Sequence, residues 1–352
     1  MNIEDIETPA VLVDCRIAEA NLARAQAYAD RHGLPLRPHI KTHKLPRFAL
    51  RQVELGAIGI TCQKIGEAEV MADAGLSDIF IPYNILGARK LARLAELHRR
   101  VTLSVTADSA ETVAGYADAF RDADHPLAVL VECDTGARRC GVASPEEALQ
   151  LARRIDAAPG LSFQGLMTYP PRNGAEQVND WLARAKNLLL SEGLPPVRIS
   201  SGGSPDLYSA AEVGVATEHR PGTYIYSDRM QVSFGLGTLD DCALTVVTTV
   251  VSHPTSDRVV LDAGSKALAA DTCAEPGHGY ITAYPEAVIT GLSEEHAIVD
   301  VSRCARTPRI GEKVRVVPNH ACVVSNLFDT VHLTADGETA EAVPVAARGR
   351  LQ

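Results

Sequence analysis

Regular alternation of short β-branched runs with amphipathic stretches constrains this chain more than any other feature. Patterns typical of helices lie between the runs. They predict helices over Lys64–Ala74, Ser109–Phe120, Pro145–Ile155 and Glu176–Ser191. Eight strands alternating with helices over about 210 residues predict a (β/α)8 TIM-like barrel of the α/β class. An open doubly wound sheet is the alternative, but no GxGxxG follows the first strand. The predicted strands are Leu36–Ile40, Ala57–Cys62, Asp78–Pro82, Val101–Val105, Leu127–Cys133, Leu161–Thr168, Val197–Ser200 and His219–Tyr226.

The pattern changes after about residue 237, where strand-like runs follow one another with turn signals and little helix. This part of the chain therefore predicts a second, all-β domain. The segment Pro9–Asp14 is also strand-like and is expected to pair with that domain. The expected organisation is a barrel over residues 16–236, with residues 1–15 and 237–352 forming the β domain.

Composition excludes several classes of protein. A net charge of −10 leaves no basic footprint for nucleic acid. No apolar run approaches the roughly 20 residues that span a bilayer, and the acidic N-terminus lacks the features of a secretory signal. Eight scattered cysteines without a CxxC pair indicate free thiols in a reducing compartment. We expect a cytoplasmic enzyme that contacts neither nucleic acid nor membrane.

The segment from Arg37 to Lys44 is the first candidate site, because active sites of barrels lie where the strands end. Two lysines, two histidines and an arginine fall within these eight residues. Burial in a barrel mouth and neighbouring cations both favour a neutral, nucleophilic lysine amine. The alternative is a solvated basic loop.

Two segments are rich in glycine and in residues with side-chain hydroxyl groups. Ser200–Ser204 lies at the end of the predicted seventh strand, and Arg220–Tyr224 lies within the predicted eighth strand. Backbone N–H groups and hydroxyls of this kind bind phosphate, and barrels often hold a phosphate after these two strands. A flexible turn is the alternative.

The fifth strand ends in an acidic and arginine-rich segment, Glu132–Gly141. Such residues could orient a cofactor ring and a substrate carboxylate. The alternative is a turn at the start of a helix, with surface arginines.

In the expected β domain, His320 and Cys322 lie two residues apart on a segment that reads as extended. In an extended chain both side chains point to the same side, and both residue types bind divalent metals. Water or substrate would complete a metal shell that has two protein ligands. A buried cysteine beside a histidine with an ordinary partner is the alternative.

Taken together, these segments resemble the D-threonine aldolase and D-serine dehydratase group of the alanine-racemase-like, fold-type III pyridoxal-phosphate enzymes. The segments that carry the resemblance keep the same order along nearly the whole chain. They are TPAVLVD, RPHIKTHK, ECDTGARRCGV, SSGGSPD, RPGTYIYSD, LDAGSKALAAD and PNHACVVSNLFD.

The resemblance implies pyridoxal 5'-phosphate as cofactor and Lys41 as its Schiff-base lysine. It also implies a divalent metal (Mn²⁺, Zn²⁺ or Mg²⁺) on His320 and Cys322. Phosphate contacts are implied at Ser204, Gly222 and Thr223, with Tyr224 beside them, and cofactor contacts at Gln63, Arg139 and Tyr169. The chain departs from the group at Pro170-Pro171, where the family often has His or Gly.

For activity, the resemblance implies a lyase acting on a β-hydroxy-D-amino acid such as D-threonine. In the favoured aldolase reaction, His43 or water on the metal removes the hydroxyl proton and the products are glycine and an aldehyde. In the dehydratase alternative, Lys41 removes the α-proton of D-serine or D-3-hydroxyaspartate, and the products are a keto acid and ammonia.

Two further classes remain open. An amino-acid racemase would need a second base opposite Lys41 and has no use for a metal pair. A pyridoxal-phosphate-binding protein without turnover usually lacks a β domain. A homodimer is expected, and the polar β-domain residues Lys266, Asp271, Tyr284 and His296 stay unranked as pocket residues.

Overall fold

The computed structural model describes residues 1–352, which fold into two units. The parallel-sheet unit comprises residues 25–41, 45–222 and 350–352, and the mixed-sheet unit comprises residues 1–24, 42–44 and 223–349. Strand β1 (Ala10–Asp14) belongs to the mixed-sheet unit. Helix α1 (Cys15–His32) begins in the mixed-sheet unit and ends in the parallel-sheet unit.

The parallel-sheet unit contains a seven-stranded sheet in which neighbouring strands follow chain order and all pairs are parallel. Its strands are β2 (Ile60–Thr61), β3 (Asp78–Ile81), β4 (Thr102–Ala107), β5 (Leu127–Cys133), β6 (Leu161–Thr168), β7 (Arg198–Ser201) and β8 (Glu218–His219). Its helices are α2 (Pro46–Glu54), α3 (Ile65–Asp73), α4 (Ala88–His98), α5 (Ala110–Phe120), α6 (Pro145–Asp156) and α7 (Ala175–Ser191). Because parallel strands end at the same edge, the loops after β5, β6 and β7 share one edge of the sheet.

Several predicted elements are confirmed with their bounds. β5 and β6 begin and end at the predicted residues. Helix α6 starts as its sequence indicates, since the Ser144 hydroxyl accepts a hydrogen bond from the Glu147 N–H and Pro145 is the first helical residue. Gly75 follows α3 at φ +96°, the left-handed conformation that suits a residue just past a helix end.

The predicted first strand, Leu36–Ile40, is wrong as a continuous strand. Only isolated parallel bridges occur there, from Leu36 to His219 of β8 and from His39 to Thr61 of β2. Pro38 lies between the two bridges and has no N–H to donate, so the hydrogen-bonded ladder is interrupted. The segment nevertheless pairs with the strands at both edges of the seven-stranded sheet.

The predicted eighth strand, His219–Tyr226, is also wrong beyond its first residue. β8 ends at His219, and a 3₁₀ turn occupies Thr223–Ile225. Pro221 removes a backbone donor and the following Gly222 favours a turn, which ends the strand despite its β-branched residues.

The mixed-sheet unit contains a nine-stranded sheet in which β1 is central, parallel to β15 and antiparallel to β9. The expected pairing of Pro9–Asp14 with the C-terminal strands is therefore confirmed. The strands after β8 are β9 (Leu244–Thr255), β10 (Arg258–Leu261), β11 (Tyr280–Ile281), β12 (Val288–Leu292), β13 (Ala297–Asp300), β14 (Lys313–Val317), β15 (Thr330–Thr334) and β16 (Glu341–Pro344).

This unit is not purely β, because three short helices lie between its strands. They are α8 (Arg229–Ser233), α9 (Ser265–Leu268) and α10 (Ala321–Leu327). The α8 helix has a sequence signal for its start, since the Asp228 carboxylate accepts a hydrogen bond from the Gln231 N–H. No helix of the structure has both the length and the apolar character that crossing a membrane requires.

Candidate active site

His39 connects the backbone of Lys41 to the side chain of Gln63. The Lys41 N–H lies 3.4 Å from His39 Nδ1, and His39 Nε2 lies 2.9 Å from Gln63 Oε1. Because Nδ1 accepts, the single proton of a neutral imidazole is on Nε2, which donates to the Gln63 amide oxygen. His39 is buried, so the pair of contacts fixes the Gln63 side chain near the chain segment that ends in Lys41.

Lys41 and Lys44 differ in their surroundings, which separates the two candidate lysines. Lys41 is half-buried. Lys44 is buried with φ +55°, and its ammonium lies 3.4 Å from the carbonyl oxygen of Ala347. A lysine engaged with a backbone carbonyl is less available as a nucleophile, so the geometry favours Lys41 as the lysine that reacts with a cofactor.

The loop after β7 packs two glycines closely against the side chains of His219 and Tyr169. Gly202 has φ +113°, and a Cβ atom there would lie 1.9 Å from the His219 Nδ1 atom. A Cβ on Gly203 would lie 2.8 Å from the Tyr169 ring. The buried Ser204 hydroxyl accepts a hydrogen bond from the Gly222 N–H at 2.9 Å. Closely packed glycines beside a hydroxyl and backbone N–H groups are a donor set that fits a phosphate.

The loop after β5 presents Arg139 to Tyr169, which follows β6. The Arg139 guanidinium lies 4.4 Å from the centre of the Tyr169 ring, a cation–π contact. The Asp134 carboxylate organises this loop by accepting hydrogen bonds from the N–H groups of Gly136 and Arg138, both at 2.9 Å. Two residues that the resemblance assigns to the cofactor are therefore in contact.

A buried layer of charge lies beneath these loops. Glu218 accepts from Arg37 and Arg198 at 3.0 Å each, and also from the Ser200 hydroxyl. Arg220 is buried and donates to the Thr168 carbonyl oxygen at 2.7 Å. Its burial lowers the pKa of its guanidinium to about 10, although the charge of Glu218 opposes the shift.

Glu132 is a second buried carboxylate, near the end of β5. Burial, and after it the charge of Asp108, raise its pKa to about 7. The charges of Arg139 and Arg220 oppose this shift. A carboxyl group that titrates near neutral pH is an unusual feature of a protein interior and is common in active sites.

His320 and Cys322 lie together in the mixed-sheet unit, but not for the reason the sequence suggested. The segment is not extended throughout: His320 occupies the N-cap position of α10, without a capping hydrogen bond from its side chain, and Cys322 is in the first turn. The two side chains interact, and their hydrogen bond is the largest cause of a His320 pKa raised to about 9. The two predicted metal ligands thus lie at the start of a helix rather than along a strand.

Each of these two side chains has its own polar partner. Asp271 Oδ1 lies 3.3 Å from His320 Nδ1. The hydroxyl oxygens of Thr42 and Thr223 lie 3.1 and 3.3 Å from Cys322 Sγ. No group of three or more His, Cys, Asp and Glu side chains is arranged to hold a metal. A nitrogen–sulfur pair fits a divalent metal whose other positions are left for water or substrate.

The remaining predicted residues are placed as follows. His43 and Tyr224 are buried, the latter in the 3₁₀ turn after Gly222. Thr223, which the resemblance assigns to phosphate, has its hydroxyl beside Cys322. Thr42 and Thr223 directly follow Lys41 and Gly222 in the chain.

Four residues that lie around the candidate sites in the structure had no individual role predicted from the sequence. His39 had a signal, since it precedes Lys41 by two positions. Glu132 and Arg220 were noticed only as parts of charged segments at strand ends. Asp271 had no local signal, because 49 residues separate it from His320.

Comparisons with known proteins agree with this geometry. The family model for the alanine racemase N-terminal domain matches residues 13–230, and the model for a putative serine dehydratase domain matches residues 243–334. The chain belongs to the D-threonine aldolase and D-serine dehydratase group of the alanine-racemase-like family. The resemblance seen in the sequence is thereby confirmed.

Individual relatives cover almost the whole chain. A D-threonine aldolase from Arthrobacter sp. is 37% identical over 98% of this chain and 93% of its own length. A D-threo-3-hydroxyaspartate dehydratase from Delftia sp. is 30% identical over 94% of this chain and 95% of its own. The crystal structure of D-threonine aldolase from Filomicrobium marinum superposes with a TM-score of 0.90 at 30% identity, covering 100% of this chain and 98% of that one.

Proposed function

We propose that this chain is a pyridoxal-phosphate- and divalent-metal-dependent aldolase that cleaves a β-hydroxy-D-amino acid to glycine and an aldehyde. The observation that carries the proposal is the near full-length similarity to the Arthrobacter D-threonine aldolase, at 37% identity. The cofactor-fitting loops and the His320–Cys322 pair supply the residues that such a reaction needs.

Lys41 would hold the cofactor covalently through its amine, and Ser204, Gly222 and Thr223 would hold its phosphate. When bound, the cofactor supplies an electron sink for cleavage of a bond at the substrate α-carbon. Gln63 is held by His39 at 2.9 Å and orients the ring with its amide. Arg139 and Tyr169, which are in contact with each other, would hold the ring, and Tyr224 would assist at the phosphate.

His320 and Cys322 would hold the metal and leave its other positions to water or substrate. Imidazole and thiolate suit Zn²⁺, whereas Mg²⁺ and Mn²⁺ are usually bound by oxygen ligands. Of the three candidate ions, the proposal therefore favours Zn²⁺. A metal at this pair would polarise the β-hydroxyl group of the substrate.

His43 accepts the proton of the β-hydroxyl group as the bond between the α- and β-carbons breaks. The oxygen then becomes the carbonyl oxygen of the aldehyde, and the electron pair of the broken bond stays with the α-carbon. That carbon takes up one proton, which balances the proton given to His43, and the fragment leaves as glycine. His43 is fully buried, so its ring is shielded from bulk water, which would otherwise compete for the proton.

A dehydratase is the second candidate. The family model for a putative serine dehydratase domain covers residues 243–334, the part of the chain that contains both metal ligands. In that reaction the Lys41 amine would remove the α-proton of D-serine or D-3-hydroxyaspartate, and hydroxide would leave from the β-carbon. The lower identity to the Delftia dehydratase, 30% against 37%, favours the aldolase.

The proposal includes a closed eight-stranded (β/α)8 barrel over residues 16–236, residues 1–15 and 237–352 as the second domain, and a homodimer. The two parallel bridges made by Leu36 and His39 support closure, because they join the segment 36–40 to both edge strands of the seven-stranded sheet.

Metal removal tests the proposal against a protein that only binds the cofactor. Chelation should abolish cleavage of D-threonine, and Zn²⁺ or Mn²⁺ should restore it. The visible absorbance of the bound cofactor should persist throughout. Unchanged turnover after exhaustive chelation would exclude the role of His320 and Cys322.

A further inference from the structure

The carboxylate of Asp271 faces the imidazole of His320, with 3.3 Å between Oδ1 and Nδ1. We propose that Asp271 is the positioning residue of the metal centre, which holds His320 so that its Nε2 atom binds the metal. This inference rests on the proposed function, since it concerns the metal that the His320–Cys322 pair would bind.

The chemistry of the contact fixes the tautomer of His320. An ionised carboxylate only accepts hydrogen bonds, so Nδ1 must carry the proton that lies between the two groups. A neutral imidazole has a single N–H, which leaves the lone pair on Nε2 available to a metal. Metal-binding histidines usually donate their second nitrogen to a carboxylate or a carbonyl in this way.

Asp271 is held by the residue that precedes His320. The Asn319 side chain donates to the carbonyl oxygen of Asp271 at 2.9 Å and accepts from Arg229 at 2.7 Å. Asn319 is 1% exposed, so these hydrogen bonds are shielded from water. Both ends of the Asp271–His320 contact are therefore set by one buried asparagine.

Asp271 is better described as a partner of the ligand than as a third ligand. The structure contains no group of three metal-binding side chains. The side chains of His320 and Asp271 are 29% and 36% exposed, so their contact adds little to the stability of the fold. Loss of the carboxylate should consequently appear in metal affinity and not in folding.

Cys322, the other proposed ligand, also has polar neighbours. Cys322 Sγ lies within 3.3 Å of two threonine hydroxyls, those of Thr42 and Thr223. Asp271 thus contacts the histidine, and the two threonines contact the cysteine. Metal centres generally need such contacts around their ligands.

The test is titration of the metal-stripped, cofactor-bound protein with Co²⁺, which gives a thiolate-to-metal absorption when Cys322 binds it. Affinity is obtained from the difference spectrum and checked by competition with a chelator. Asp271→Ala should weaken Co²⁺ binding by about 10- to 100-fold while keeping the thiolate absorption. Asp271→Asn should recover most of that loss, because its amide oxygen still accepts the Nδ1 proton.

Glu275→Ala is the matched control, because it removes one negative charge from an exposed position of the same loop. It should leave Co²⁺ affinity within about twofold, as expected for a surface charge. The cofactor absorbance and the thermal midpoint of each variant show whether it is folded.

The proposal is overturned if Asp271→Ala binds Co²⁺ as tightly as the parent protein. It is equally overturned if Asp271→Asn is as weak as Asp271→Ala, because the carboxylate itself would then be required. His320→Ala and Cys322→Ala distinguish failure of the Asp271 proposal from failure of the proposed function. If those two variants retain full Co²⁺ affinity, the metal centre itself is wrong.

Discussion

Gly202 and His219 are packed so closely that any side chain on Gly202 would collide with the histidine ring, 1.9 Å from a Cβ atom to Nδ1. His219 is fully buried in β8, so it cannot move away. The shape of the loop after β7 thus depends on a contact between two residues that lie on neighbouring parallel strands or directly after them.

Gly202→Ala should weaken binding of pyridoxal phosphate by at least about tenfold, or 1.4 kcal/mol. The substitution is strained by the φ of +113° as well as by the collision. Cofactor titration of the apoprotein measures the effect. Gly214→Ala is the control, since its nearest neighbour would be 3.8 Å away, and its affinity should equal that of the parent. Equal affinity in both variants would show that the loop does not bind the phosphate.

Lys41→Ala should abolish the visible absorbance of covalently bound cofactor, because no amine remains to react with it. Lys44→Ala should retain that absorbance and lower the thermal midpoint instead, because Lys44 is buried against the Ala347 carbonyl. Absorbance spectra and thermal melts of the two variants separate these effects. The reverse pattern would assign the cofactor to Lys44.

Glu218→Gln should cost about 3 kcal/mol of stability, because it leaves Arg198 without its counter-charge and leaves buried Arg37 with only the partly exposed Asp78 as its partner. Urea unfolding measures the loss. Glu192→Gln is the control, since its ion pair with Arg153 is exposed and worth at most about 1 kcal/mol. Similar losses in the two variants would contradict a buried charge layer.

The acid dependence of stability should also come from Glu218. Burial alone would raise its pKa, but the charges of Arg37 and Arg198 outweigh burial and lower the pKa to about 2. The folded protein therefore holds this proton less tightly than the unfolded chain. Its contribution is complete above the ordinary value of 4.5 and is lost as the pH falls toward 2. Glu218→Gln should remove this part of the acid sensitivity.

Glu132 should act in the opposite direction. Because its pKa is raised to about 7, the folded protein binds the proton more tightly than the unfolded chain. Its contribution is complete below about pH 4.5 and falls as the pH rises through 7, by at most about 1.4 kcal/mol per pH unit. Urea unfolding of the apoprotein between pH 5 and pH 8, roughly the range of this titration, should show the slope, and Glu132→Gln should flatten it. An equal slope in both proteins would place the titration elsewhere.

The sequence alone predicts those parts of the fold that depend on local patterns. Short runs rich in apolar residues predicted β5 and β6 with their bounds, and a serine followed by proline predicted the start of α6. The strands containing Pro38 and Pro221 were wrong because a missing backbone donor outweighs the propensity of the neighbouring residues. The resemblance implied the Schiff-base role of Lys41 and the metal-binding role of His320 and Cys322. The expected extended backbone at this pair is instead the start of a helix.

Contacts between distant residues could not be predicted in this way. The Asp271–His320 contact and the packing of Gly202 on His219 both depend on how separate segments fold against each other. Nothing in the residue types alone distinguishes Asp271 from other aspartates of the chain. The motif suggests the proposed ligands, whereas the side chain that would support one of them is visible only in the structure.

The ratio of glycine to keto acid formed from D-threonine by the metal-loaded holoenzyme tests the central claim most directly. An aldolase produces glycine and acetaldehyde in equal amounts, with no 2-keto acid or ammonia. D-serine and D-3-hydroxyaspartate, assayed alongside, should also yield glycine if they react. Keto acid and ammonia without glycine from any of the three substrates would contradict the account and establish the dehydratase instead.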